Sequence, residues 1–284
     1  MQRRFCYLNG EIVETDQARI SPYDIGLLRG YAVFDLLRTV AGRPFLLAEH
    51  LKRLRASAAE LGLAVPASDA EIADAIDRLL ELNEHTEATV RLVLTGGISA
   101  DGMHATPGEE TFLILTHDLP VLPTSTYERG ARLVTHEHLR ECPTAKTTNY
   151  LTLLKHHDVM ADAGAIDLLY HDGERVTEAA TASFFVVRDG RVLAPEADVL
   201  PGTVGQLVLE AAGGEFEVSY GDVTVDDVLG AAEAFLTSTT RGVVPIVEID
   251  GRAIGDGRVG PVTRAVMERF DAAVASAAAA TSAL

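Results

Sequence analysis

The stretch Cys142-Pro143-Thr144-Ala145-Lys146-Thr147-Thr148-Asn149-Tyr150-Leu151 sets one lysine among small and hydroxylated residues, ahead of a predicted helix over 150–163. Lysine is scarce: Lys52, Lys146 and Lys155 are the three in 284 residues. An amine at such a junction, once partly desolvated, is available as a neutral nucleophile for Schiff-base chemistry. Taken alone, the stretch reads as a surface lysine, the commoner state of that side chain.

Working outward, the chain divides into two halves. The first, 1–118, opens with a hairpin turning at Asn9-Gly10. A helix over 48–62 sets Leu51, Leu54, Ala58 and Leu61 on one face. Ser68 and Glu71 form a capping box ahead of Ile72, Ile76 and Leu79-Leu80. Thr89–Thr95 and Thr111–Thr116 read as strands. Two prolines in 119–125 mark a linker. The second half, 126–284, has strands near 131–135, 166–170, 184–188, 216–220, 234–238 and 243–249. Its helices fall near 150–163, 204–212 and 259–278. Asp189-Gly190 and Asp250-Gly251 are hairpin signals, Pro261 suits a first helical turn, and the Ala/Ser-rich tail from Ala273 is expected to fray. This describes a two-domain α/β (α+β) protein with a smaller N-terminal and a larger C-terminal domain.

The formal charge is 24 − 42 = −18. Such a surface repels nucleic acid and anionic membranes, although arginines within a pocket can still seat an anionic substrate. No apolar run is long enough for a membrane span. The apolar stretch after Arg3-Arg4 is broken at Asn9-Gly10-Glu11, which argues against a signal peptide. Cys6 and Cys142 are far apart in sequence and read as reduced thiols of a cytoplasmic protein. The phosphate-loop, dinucleotide-loop and nucleophile-elbow signatures are missing. His136-Glu137-His138 reads as a solvated strand end rather than a metal site, because no third ligand is suitably spaced.

Six segments, in this order, resemble the class IV (fold type IV) pyridoxal-phosphate-dependent aminotransferases: Gly30-Tyr31-Ala32-Val33-Phe34-Asp35, Glu49-His50-Leu51-Lys52-Arg53-Leu54, Lys146-Thr147-Thr148-Asn149-Tyr150, Val176-Thr177-Glu178, Leu200-Pro201-Gly202-Thr203-Val204 and Thr237-Ser238-Thr239-Thr240. The resemblance runs from Ile20 to Pro261. It implies pyridoxal 5'-phosphate as cofactor and a homodimer whose pockets draw on both subunits. Lys146 would be the Schiff-base lysine and the acid–base group between substrate Cα and cofactor C4′. Glu178 would face the pyridine nitrogen and favour the protonated ring. Arg53 would bind phosphate with its fork; its competing reading is the solvated basic face of a helix with Lys52 and Arg55. Gly202, Thr203 and Val204 would offer a helix N-terminus to the phosphate, and Ser238, Thr239 and Thr240 further donors. Tyr150 is expected one helical turn from Lys146, within reach of the cofactor's phenolic oxygen. Several relatives carry Asn five residues after the glutamate, where this chain has Ser183.

The implied substrates are an amino acid and a 2-oxo acid. The Tyr-x-Arg-Pro stretch of branched-chain enzymes is absent from Thr89–Gly97. The Arg-x-His pair of the best-known D-amino acid enzymes is absent from Ser99–His104. Leu28-Arg29-Gly30-Tyr31 together with Arg91-Leu92-Val93-Leu94-Thr95-Gly96-Gly97 is similar to a less standard group of D-amino acid aminotransferases. Arg29 and Arg91 are therefore the expected carboxylate ligands, with Phe34 the remaining substrate-binding residue. The competing reading places Arg91 in a core ion pair and Arg29 on the surface. D-amino acids are the favoured substrates. L-branched-chain amino acids, an aminodeoxychorismate lyase activity and a non-enzymatic binding protein on the same fold are the alternatives.

Overall fold

Asn9 and Gly10 turn the chain with φ of 48° and 97°, the mirror-image turn whose twist matches flanking strands. They join β1 (Phe5–Leu8) to β2 (Glu11–Glu14). The computed structural model describes residues 4–211 and 216–282. Two units divide the chain: the first holds the residues up to Pro120, Ala145–Asn149 and the chain from Ala277, and the second holds Val121–Thr144 and Tyr150–Ser276.

In the first unit, α1 (Ile25–Arg29), β3 (Ala32–Val40) and β4 (Arg43–Pro44) precede α2 (Leu47–Glu60), α3 (Asp69–Leu82), β5 (Ala88–Thr95) and β6 (Thr111–Asp118). The strands form a six-stranded sheet, β2-β1-β6-β5-β3-β4, with antiparallel neighbours throughout. Leu51, Leu54 and Ala58 of α2 are buried as the spacing predicts, and Leu61 packs beside them. The Ser68–Glu71 capping box forms: Ser68 N–H donates to the Glu71 carboxylate at 2.7 Å, and Glu71 N–H to Ser68 Oγ at 3.3 Å. Ile72, Ile76 and Leu79 complete the core against Val90, Leu92 and Leu94 of β5. Each fully buried Leu or Ile contributes roughly 1.5–3 kcal/mol, more than the roughly 1 kcal/mol of a cap. Strand alternation then turns Arg91, Val93 and Thr95 to the opposite face, where they are half-buried.

The second unit continues with α4 (Thr124–Arg129), β7 (Ala131–Glu137), α5 (Leu151–Lys155), α6 (His157–Ala163), β8 (Asp167–His171), β9 (Arg175–Ala179), β10 (Ser183–Arg188), β11 (Arg191–Pro195) and α7 (Thr203–Ala211). It ends with β12 (Glu217–Gly221), β13 (Val223–Thr224), α8 (Val225–Leu229), β14 (Glu233–Ser238), β15 (Gly242–Ile249), β16 (Arg252–Ala253) and α9 (Pro261–Ser282). Among the described residues these strands form one ten-stranded mixed sheet, β12-β11-β10-β14-β15-β7-β8-β9-β13, with β16 beside β15. Asp189-Gly190 and Asp250-Gly251 both make hairpin turns, each with φ of 50° and 74°.

Two expectations change. The helix expected over 150–163 is two, α5 and α6, interrupted at His156, whose Nδ1 lies 2.8 Å from the Thr152 carbonyl. The Ala/Ser-rich tail belongs to α9, which runs to Ser282, in keeping with alanine's helix preference. The helix expected to reach 212 is described to Ala211, and residue 212 lies outside the described residues. Finally, the second half is not one uninterrupted domain, because Ala145–Asn149 belongs to the first unit. Thr147 bridges Val33, Phe34 N–H donates to Lys146 O at 2.9 Å, and Thr148 N–H to Ala32 O at 3.1 Å. Among the described residues no helix is long and apolar enough to cross a membrane.

Candidate active site

In the first unit, Lys146 is half-buried on this extended segment. Its N–H donates to Ser57 Oγ of α2 at 3.0 Å, and its carbonyl is held by Phe34. Its Nζ lies 4.8 Å from the centre of the Phe34 ring, and the Arg91 guanidinium carbon lies 4.9 Å from the same ring. Phe34 is almost fully buried, so an amine and a guanidinium share one aromatic neighbour, each gaining roughly 0.5–2 kcal/mol. The structure thus brings together Lys146, Phe34 and Arg91, three residues expected from the sequence.

Arg53 does not lie on a solvated basic face. Its Nε and Nη2 donate to Asp35 Oδ2 and Oδ1 at 2.7 and 2.8 Å, and His50 Nδ1 stands 2.7 Å from Asp35 Oδ1. Asp35 is fully buried. Burial pushes its carboxyl up, but hydrogen bonds and charge from Arg53 and His50 outweigh that and hold it at about 2. Fixing two nitrogens of a planar fork fixes the direction of the rest. Arg29 is the last residue of α1, exposed, with Nη1 donating to Leu28 O at 3.1 Å. Asp24 caps that helix and accepts the Thr95 and Thr111 hydroxyls at 2.8 and 2.7 Å.

The expected helical spacing between Lys146 and Tyr150 is incorrect. Tyr150 is the residue before α5, with φ −114° and ψ 19°. Residues 146–148 are committed to β3 and cannot form the preceding turn. Tyr150 is half-buried.

In the second unit, Glu178 lies near the end of β9 and is buried. Arg140 donates to Glu178 Oε1 through Nε at 2.7 Å and also through Nη2. Leu200 N–H lies 3.3 Å from Oε2. Arg140 was not anticipated: in Leu139-Arg140-Glu141-Cys142 nothing local signals a partner 38 residues away. Gly202 precedes α7, Thr203 and Val204 open it, and an added Cβ on Gly202 would lie 2.3 Å from Ser183 Oγ. Ser183 thus occupies the space directly beside that turn. Ser238 ends β14 and Thr239 and Thr240 follow it, all half-buried, with Ser238 Oγ accepting from Arg241 Nε at 3.1 Å.

Several features here fit pyridoxal phosphate. Thr237 Oγ1 is buried without a hydrogen-bond partner and lies 3.2 Å from where a Cβ on Gly205, in the first turn of α7, would stand. Helix N–H groups and an orphaned hydroxyl are the donors a phosphate uses. The ion-paired Glu178 carboxylate is the acceptor a protonated ring nitrogen needs. A cavity of about 250 Å³ is lined by Glu178, Ser183, Phe185, Gly202, Gly205 and Tyr220, among others.

His136 and His138 are half-buried rather than solvated: His136 packs 4.0 Å from the His156 ring, and His138 meets Tyr170 edge-on. Burial, and then the neighbouring His156, hold His136 below the ordinary imidazole range. Among the described residues no group of three or more His, Cys, Asp or Glu is arranged to hold a metal.

Comparison with known proteins bears on the family and the fold. The family described as amino-transferase class IV matches residues 32–249. A Methanocaldococcus jannaschii protein, provisionally named a branched-chain-amino-acid aminotransferase, is 32% identical, covering 93% of this chain and 94% of its own. A Staphylococcus aureus (strain N315) D-alanine aminotransferase is 28% identical, covering 93% and 96%. The crystal structure of the T.th. branched-chain amino acid aminotransferase with pyridoxamine 5'-phosphate superposes with a TM-score of 0.86 at 28% identity, covering 96% and 95%. The chain belongs to the class IV aminotransferases, pyridoxal-phosphate-dependent transaminases of the two-domain α/β fold type IV.

Proposed function

We propose that this transaminase moves the amino group between D-amino acids and 2-oxo acids, with Lys146 as its catalytic residue. Arg91 carries the substrate reading. Its guanidinium rests on the ring that also neighbours the Lys146 amine, so a carboxylate held by Arg91 would lie near the group that moves the proton. Arg29 is the second candidate for that carboxylate, and Phe34 would bound the substrate side chain.

Bound pyridoxal phosphate supplies the carbonyl that accepts the amino group and the ring that takes up the electron pair left at Cα. Lys146 would hold the cofactor covalently and, with its amine freed, would serve as the base and acid that moves the substrate's Cα proton. Glu178, ion-paired with Arg140, would accept the ring N–H. Arg53, Gly202, Thr203, Val204, Ser238, Thr239 and Thr240 would seat the phosphate, and Tyr150 would bond the phenolic oxygen.

A second reading, transfer from L-branched-chain amino acids, is favoured by the Methanocaldococcus jannaschii relative and the T.th. structure. Mixing holoenzyme with single D- and L-amino acids, and following the cofactor's visible band, separates the two. Bleaching by D-alanine or D-glutamate supports the first reading; bleaching by L-leucine and L-valine alone sinks it. A cytoplasmic homodimer belongs to the same proposal. Tyr23 and Leu27 at α1, and Leu151 and Leu154 on α5, are large apolar side chains exposed in a single copy. Sedimentation at one-chain mass would count against the dimer.

A further inference from the structure

We propose that Ser57 is a positioning residue that sets the Lys146 amine; this rests on Lys146 being the cofactor-binding lysine. Ser57 sits on α2, fully buried. A helical serine ordinarily bonds a carbonyl four residues back or faces solvent. This one instead accepts the N–H of a residue 89 positions away, at 3.0 Å.

The neighbouring backbone shows why that bond matters. The Lys146 carbonyl and the Thr148 N–H are both taken by β3, at 2.9 and 3.1 Å. On the other side of Cα, the Lys146 N–H is held by a side chain, so Ser57 fixes the rotation of the residue that carries the amine. Reactive groups need placement within about 0.5 Å, and a misplacement of about 1 Å can cost on the order of 10²-fold in rate.

Ser57 follows Arg53 by four residues, on one helix face about 6 Å further along. The Asp35–Arg53 pair lies one turn back on that face. One helix therefore carries both the arginine read as the phosphate ligand and the serine that holds the lysine. Removing the hydroxyl leaves Arg53 in place, so cofactor affinity and lysine placement become separable.

The test compares holoenzymes of the parent, Ser57→Ala and Thr116→Val. Thr116 is a buried hydroxyl of the same unit that accepts from Asn83 at 2.8 Å and serves as a control for ordinary destabilisation. In Ser57→Ala, kcat should fall about tenfold or more, with cofactor affinity changed no more than a few-fold. The pH midpoint of the cofactor's visible band should move by about half a unit or more. Thr116→Val should leave kcat and midpoint as in the parent. Parent-like kcat and midpoint in Ser57→Ala, or the same changes in Thr116→Val, overturn the proposal. If Ser57→Ala does not fold, Ser57→Cys, which keeps a weaker acceptor of similar size, is judged by the same two readouts. Borohydride trapping separates the premises. Absence of Lys146 from the labelled parent peptide removes the lysine reading itself. Labelled Lys146 with an unmoved Ser57→Ala removes the positioning role alone.

Discussion

Replacing Asp35 with asparagine tests the buried polar group that holds Arg53. Asp35 is fully buried and accepts from Arg53 Nε and Nη2 at 2.7 and 2.8 Å, with His50 Nδ1 at 2.7 Å. Its carboxyl lies at about 2 in place of 3.8. At about 1.4 kcal/mol per pH unit, this corresponds to about 2 kcal/mol of native-state stability. Because the folded value is depressed, that stability is fully present above about pH 4 and is lost as the pH falls toward 2. The Asp35→Asn change would retain the size but remove the charge, leaving the Arg53 guanidinium poorly compensated in a site where its side chain is 11% exposed. Removing one partner of a buried pair costs about 3–5 kcal/mol. Calorimetry should show the unfolding temperature of the variant lowered by roughly 5–8 °C, and its acid limb flattened. Cofactor titration should show weaker binding, by about tenfold. An Asp35→Asn protein within about 0.5 kcal/mol of the parent, with an unchanged acid limb, would refute the reasoning, since a surface-like site tolerates such a change.

Three further outcomes follow from the same geometry. Glu178→Gln should keep the cofactor but lower kcat on the order of 10²-fold or more in steady-state assays, through loss of charge at the ring nitrogen; parent-like turnover would contradict that role. Arg91→Ala should raise KM about tenfold or more for both the amino acid and the oxo acid, the worth of a charge-assisted bond, while cofactor affinity stays unchanged. Unchanged KM values would remove Arg91 from the substrate site. Gly97→Ala should lose more than about 1 kcal/mol in urea unfolding, because φ is +65° and the new Cβ would stand 1.6 Å from Glu109 O; full stability would contradict the tight turn.

The features legible in the sequence are those specified locally. The Asn9-Gly10 hairpin, the α2 spacing and the Ser68–Glu71 box each depend on residues a few positions apart, and all three form. The site was legible as separate motifs, while the bonds between them were not. Asp35 and Arg53 fall in two quoted segments, yet the pairing that buries them joins a strand to a helix 18 residues on. Arg140 lay outside every motif. Tyr150 was misread because the turn after Lys146 was treated as the start of a helix, whereas β3 captures that backbone from more than 100 positions away. Strand β9 was missed for a related reason: Arg-Val-Thr-Glu-Ala carries little alternation of its own and is defined by its neighbours in the sheet.

The most direct test of Lys146 as the residue that carries the cofactor uses the scarcity of lysine. Holoenzyme is reduced with borohydride, digested, and its peptides are mapped by mass. Lys52, Lys146 and Lys155 are the three lysines present, so the answer is one of a few peptides. The pyridoxyl mass is expected on the peptide containing Lys146, with Lys52 and Lys155 unmodified. A label on either of those, or cofactor released unreduced with Lys146 intact, would contradict the role assigned to Lys146.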